Sequence, residues 1–352
     1  MRNIPLRLSG LKLALLSLMH FATDGLCAYL VFAKLYPDNP AFAVLIFFGY
    51  NILAFVTQSP IGLLIDKFNR PKLFLSISVA AMLLGYLASS VWYLSVFLIG
   101  ISNSLFHVAG GKYVTDKSGN DISHLGIFVS TGAVGLVLGQ RYLSFAPMPY
   151  IFFALLIAPL VLMLISRDSE DRTYHEEYSS PDGSLYALLA VMAVVMIRSF
   201  VGKVAAPDFT LSGHLFLLIS LATALGKAMG GICSKFFGIK ITTYASMVVA
   251  ALCMTLGTAS IPWFILGVFA FNFTMPITLY YANILLKGHE GFAFGTLAAA
   301  LTPGFFIALA FTYTPIMRIC TAVLCLVSMI VILIVLKRIK NNVSGVNTNG
   351  DN

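Results

Sequence analysis

Gly62-Leu63-Leu64-Ile65-Asp66-Lys67-Phe68-Asn69-Arg70-Pro71-Lys72 lies between two apolar runs, residues 40–63 and 73–90. Each run is close to the ~20 residues a helix needs to cross the hydrocarbon of a bilayer. Within this stretch the chain leaves hydrocarbon, turns with four charges and re-enters. A glycine at position 62 lets two helices approach closely. Asp66 stands where a carboxylate can meet the positive end of a helix or a neighbouring cation. Lys67, Arg70 and Lys72 are charges of the kind retained on the cytoplasmic side of a membrane.

The stretch recurs 168 residues later as Gly230-Gly231-Ile232-Cys233-Ser234-Lys235-Phe236-Phe237-Gly238-Ile239-Lys240. Gly62, Lys67, Phe68 and Lys72 return as Gly230, Lys235, Phe236 and Lys240, while Ser234 and Gly238 replace Asp66 and Arg70. Two such loops half a chain apart mark an internal repeat. The repeat reaches beyond the loops. Gly126, Gly135 and Gly139 are answered by Gly295, Gly304 and Ala308, and Asn103 by Asn272, all at an offset of 169.

The spacing Gly-x-x-x-Asp-Lys-x-x-Arg-x-Lys resembles the signature loop between helices 2 and 3 of the major facilitator superfamily of transporters. The resemblance covers the whole chain. It implies an all-α membrane protein of twelve transmembrane helices in two pseudo-symmetric six-helix bundles, with helices 1, 4, 7 and 10 around a central cavity.

Composition agrees with a membrane protein. The 352 residues are 59% hydrophobic and 10% charged, against about 25% charged in soluble domains. The net charge of +8 sits in short loops and does not suggest nucleic acid. The five cysteines form no CxxC pair and imply neither a disulfide framework nor a metal cluster. No nucleotide-binding glycine loop or nucleophile–base pair suggests an enzyme or a cofactor.

Twelve spans are expected near residues 11–35, 40–63, 72–90, 91–113, 123–142, 146–166, 185–206, 211–234, 241–259, 261–286, 291–312 and 315–336. Residues 1–166 form the first bundle, 167–184 a charged cytoplasmic linker, 185–340 the second bundle and 341–352 a disordered tail. The basic loop residues, from Arg2, Arg7 and Lys12 to Lys337, Arg338 and Lys340, fall on one side. Lys34, Arg141 and Arg318 fall on the other. This distribution predicts a multi-pass protein of the cytoplasmic membrane with both termini cytoplasmic. A monomer is expected.

Ionisable groups inside spans cost about 2.5–3.5 kcal/mol on insertion scales, so each is a functional candidate. His20 and Asp24 are four apart and share a helix face. Asp24 lies roughly 20 Å from the start of its helix, near the bilayer middle. A poorly hydrated carboxyl there can exchange a proton, with His20 as relay, or it can form a fixed ion pair with Arg198. Arg198 grips a carboxylate or phosphate through two parallel bonds. His107 and Asn103 in span 4 and Asn272 in span 10 are further substrate-contact candidates, and His107 can equally be a structural histidine. Lys203 is read both as a substrate contact and as a side chain snorkelling to the interface, whereas Lys227 is read as snorkelling. Gly62, Asp66, Arg70 and Lys235 are the expected cytoplasmic gate.

His20-Phe21-Ala22-Thr23-Asp24-Gly25 and Phe106-His107 are also similar to the fosmidomycin-resistance branch of drug exporters. That branch implies proton-driven export of a small drug-like or anionic compound. The span 5 glycines resemble an antiporter motif, but Gln140 stands where that motif has proline. Proton-coupled uptake of a small anion or sugar acid, and a membrane sensor that keeps the fold but moves nothing, are the alternatives.

Overall fold

The computed structural model describes residues 8–142, 144–166, 184–205, 213–256, 260–311 and 314–348. The expected linker lies outside these residues except at Ser184, as do Arg2, Arg7 and the last four residues of the expected tail. Peptide groups in hydrocarbon must be satisfied within their own segment, so long apolar stretches close into helices. The described residues form twelve. They are α1 (Gly10–Asp38), α2 (Pro40–Phe68), α3 (Pro71–Leu87), α4 (Trp92–Ser118), α5 (Ile122–Arg141) and α6 (Met148–Ile165) in the first half. The second half holds α7 (Ser184–Val204), α8 (Gly213–Phe237), α9 (Ile239–Leu256), α10 (Ile261–Leu285), α11 (Glu290–Ala308) and α12 (Pro315–Thr348). Eleven are long and apolar enough to cross a membrane, and α3 is a shorter apolar helix.

Local chemistry sets the helix ends. Ser9 accepts from the Lys12 amide at 3.3 Å, and Asp121 from the Ser123 amide at 2.9 Å, capping α1 and α5. Pro71 opens α3, where its fixed φ suits the first turn. In the α2–α3 turn Asn69 takes the left-handed conformation, with φ of 48°. In the echo of that turn the left-handed residue is Gly238, with φ of 84°, so glycine stands where the first loop has Arg70.

Several helices run past their expected ends. The second reaches Phe68, the fourth Ser118 and the twelfth Thr348, because helical hydrogen bonding continues beyond the apolar stretch. Two helices carry π segments, Leu30–Leu35 in α1 and Ile52–Val56 in α2. Pro276 has no N–H for the Asn272 carbonyl, and α10 breaks there into Ile261–Phe271 and Thr274–Leu285.

Helix neighbours repeat between the halves. Within the first, α1 packs on α5 and α6, and α3 on α4 and α6; within the second, α7 packs on α11 and α12, and α9 on α10 and α12. Two equivalent seams join the halves, α2 with α11 and α5 with α8. The repeated glycines explain them. A Cβ on Gly62 would strike the backbone of Gly291 and Phe292, and one on Gly295 the backbone of Gln58. Across the other seam Gly126 faces the Lys227 carbonyl and Gly231. Gly135 and Gly304 play equivalent parts within each half, against the Phe21 and Met196 carbonyls. Helix packing is therefore what this glycine pattern does.

Candidate functional site

His20 and Asp24 lie one turn apart on the face of α1 that looks toward the helix pairs α4 and α5. His20 Nε2 is 3.3 Å from Asp24 Oδ2. From α4, His107 Nε2 lies 3.5 Å from Asp24 Oδ1, and the Asn103 amide donates to the same oxygen at 3.1 Å. The two imidazoles meet edge to face, with centroids 4.6 Å apart. His20 Nδ1 donates to the Phe128 carbonyl at 2.7 Å, and His107 Nδ1 to the Asn103 carbonyl at 2.9 Å. A carbonyl can only accept, so each Nδ1 carries the hydrogen and each Nε2 is the atom turned to Asp24.

The second half contributes cations. Arg198 on α7 is buried, and its Nη1 donates to Thr278 Oγ1 on α10 at 3.1 Å. Lys227 on α8 lines the same space. Among the described residues neither cation has a carboxylate within ion-pair distance, so the fixed Asp24–Arg198 pair is not formed.

These groups line a cavity of about 410 Å³ between the halves. Its walls are largely apolar, with Phe32, Phe47, Tyr50, Phe55, Phe294 and Phe305 among the lining residues. Along α1 the lining runs from His20 to Phe32, along α2 from Gln58 back to Phe47, and along α11 from Phe294 to Phe305. The cavity thus extends from mid-depth toward the end remote from Asp66. Both π segments flank it, an irregularity common at functional sites.

The Asp66 end is closed by polar contacts across both seams. Asp66 accepts from the Gly291 and Phe292 amides at 2.9 and 2.8 Å, capping the N-terminus of α11 from the other half. Lys112 on α4 lies 3.3 Å from Asp66, 3.1 Å from Asp116 and 3.4 Å from Glu290. Asn283 on α10 donates to Thr115 and Asn120, each at 3.2 Å. At the α5–α8 seam Lys235 meets Asp121 at 2.6 Å. Burial pushes the Asp121 carboxyl up, but Lys235 and the Ser123 hydroxyl and amide outweigh it and bring it down to about 2.

Of the residues expected from the sequence, His20, Asp24, Asn103, His107 and Arg198 come together at the cavity. Lys203 does not; it is exposed near the end of α7. Asn272 sits at the α10 break, donating to the Val268 carbonyl at 2.8 Å and packing against Gly226. Gly62 and Asp66 form the α2–α11 contact, whereas Arg70 is exposed in the turn. Lys235 answers Asp121, not Asp66. Sequence reasoning read Lys227 as snorkelling and did not single out Thr278, Lys112, Glu290 or Asp121 as functional. Lys112 carried a signal, since it stands four residues before Asp116 at the end of a span.

The fold is similar to that of the E. coli fucose:proton symporter FucP, covering 92% of this chain and 98% of the other, with a TM-score of 0.66 at 14% identity. A FucP structure in the outward conformation covers the same shares, with a TM-score of 0.65 at 15% identity. The chain has the major facilitator fold. The human organic anion transporter MFSD10 (TETRAN) is similar over 92% of this chain and 100% of its own, with a TM-score of 0.65 at 14% identity. No family model matches the sequence, and no curated protein matches it.

Proposed function

We propose that this chain is a secondary transporter that moves a small anionic solute across a membrane by alternating access. The observation that carries this reading is the cavity between the halves, where Asp24, His20 and His107 come from one half and Arg198 and Lys227 from the other. A solute held by both halves is released when they rock apart, and sites between structural repeats near mid-depth suit that motion. Arg198 and Lys227 take the anion, which matches two cations that lack a carboxylate partner among the described residues. Asp24, with His20, holds the coupling proton. Asp66, Lys112, Glu290 and the Asp121–Lys235 pair form the cytoplasmic gate, with both termini on that side. The likeness to MFSD10, an organic anion transporter, supports an anionic solute, and the likeness to FucP, a fucose:proton symporter, supports proton coupling.

The test is flux in proteoliposomes with a panel of small organic anions and drug-like compounds, wild type beside Asp24→Asn and Arg198→Gln. Solute-dependent proton movement in the wild type that both variants lose is expected. Movement opposite to the solute supports export, and movement with it supports uptake. A solute that binds the purified protein yet never crosses the membrane would favour a sensor and defeat the transport reading.

A further inference from the structure

The His20–Asp24–His107 cluster is built more elaborately than an anion carrier requires. Two imidazole nitrogens and a carboxylate, from two helices, present ligand atoms that all lie within 4.8 Å of one another. Both rings donate Nδ1–H to backbone carbonyls, at 2.7 and 2.9 Å, which fixes the tautomer and leaves each Nε2 lone pair turned inward. That is how metal-ligating histidines are held by their outer-shell partners. Asn103 fixes the carboxylate in the same manner, by a 3.1 Å bond. A metal about 2.1 Å from each ligand holds neighbouring ligand atoms about 3–3.5 Å apart; His20 Nε2 lies 3.3 Å from Asp24 Oδ2 and His107 Nε2 3.5 Å from Asp24 Oδ1, so each ring faces its own oxygen of the carboxylate at that spacing. The opposite wall is Gly132, where a Cβ would overlap Asp24 Oδ2 and His20 Nε2, so the space exists only because that residue has no side chain.

We propose that His20 Nε2, His107 Nε2 and the Asp24 carboxylate bind a divalent first-row transition-metal ion within the cavity. Two imidazoles and one carboxylate suit Fe²⁺, Co²⁺, Ni²⁺ or Zn²⁺, and leave coordination positions open toward the cavity. This inference rests on the proposed function for one point, the solute class: an anion that itself chelates metal fills those positions while Arg198 and Lys227 hold its remaining charge, and the bound metal takes the place of the coupling proton on Asp24 and His20.

The experiment uses full-length protein in detergent with Co²⁺ as the probe, read by its visible absorption. The expected result is one equivalent bound with a spectrum of mixed nitrogen and oxygen ligation. Binding at least tenfold weaker is expected in His107→Ala, Asp24→Asn and Gly132→Ala, each checked for an unchanged elution volume and melting temperature. His214→Ala, which alters an exposed histidine at the start of α8, keeps the wild-type spectrum. Absence of a cobalt spectrum, or a spectrum unchanged in a His20→Ala/His107→Ala double variant, overturns the proposal. If the cobalt spectrum is absent while anion transport persists in the same preparation, the transporter reading stands and only the metal site is removed.

Discussion

Among the described residues Arg198 is buried against one neutral hydrogen-bond partner, the Thr278 hydroxyl. A guanidinium held in a span without a counter-charge is costly, and an arriving carboxylate or phosphate would offset that cost. Arg198→Gln is therefore expected to weaken solute binding about 10- to 100-fold, the range of one lost charged hydrogen bond of about 1.5–3 kcal/mol. Arg198→Lys, which keeps the charge but not the fork, should fall between; equal affinity in all three proteins, measured by titration calorimetry, would remove Arg198 from the solute site. At Asp24 the expectation is loss of coupled flux in Asp24→Asn with the melting temperature retained, since an asparagine can still bond His20 and Asn103. His20 and Asp24 were legible as partners because a four-residue spacing is a statement about one helix face. Their meeting with His107 was not, because 83 residues separate Asp24 from His107 and only packing of α4 on α1 joins them. Lys227 was misread for a related reason: distance along a span says how deep a side chain starts, not which way its helix turns it.

At the next scale, the N-terminus of α11 is completed by a residue of α2. The two amides that Asp66 accepts are donors α11 cannot satisfy itself, and its charge complements the positive end of that helix. Asp66→Ala should slow turnover several-fold in proteoliposomes while changing solute affinity less than twofold, because the gate is broken and the cavity is not. Turnover equal to wild type would dismiss the gate assignment. The Asp121–Lys235 contact at the other seam carries a pH signature. Asp121 titrates near 2, below its ordinary value of 3.8, so its pairing with Lys235 stabilises the closed end fully above pH 4 and is lost as the pH falls toward 2. Thermal melts between pH 2 and 6 should show Lys235→Ala less stable than wild type at pH 5–6, with the difference shrinking toward pH 2. A constant difference across that window would contradict the pairing. The helices themselves were readable from apolar length alone. The π segments of α1 and α2 were not, since neither Leu30–Leu35 nor Ile52–Val56 contains a proline or glycine to mark a change in the helix.

For the whole molecule, the offset of 168–169 residues carried the architecture. Once Gly62 and Gly230 were equivalent, so were their helices, and each pairing in one half implied its counterpart in the other. What the repeat could not show is where the halves touch, because α2–α11 and α5–α8 join unlike positions. There backbone lies on backbone, and a methyl group is enough to separate the helices. Gly62→Val and Gly126→Val are each expected to abolish solute flux while the protein still inserts and elutes as wild type; flux within twofold of wild type would mean these seams tolerate separation. The close approach has a practical use. Ser59 on α2 and Thr296 on α11 already touch through their hydroxyls at 3.2 Å, with no intervening side chain to clear. Cysteines at those two places should cross-link on mild oxidation and be freed by a reductant. An investigator would then have a switchable brake that arrests one stage of the cycle for capture by imaging or by an antibody.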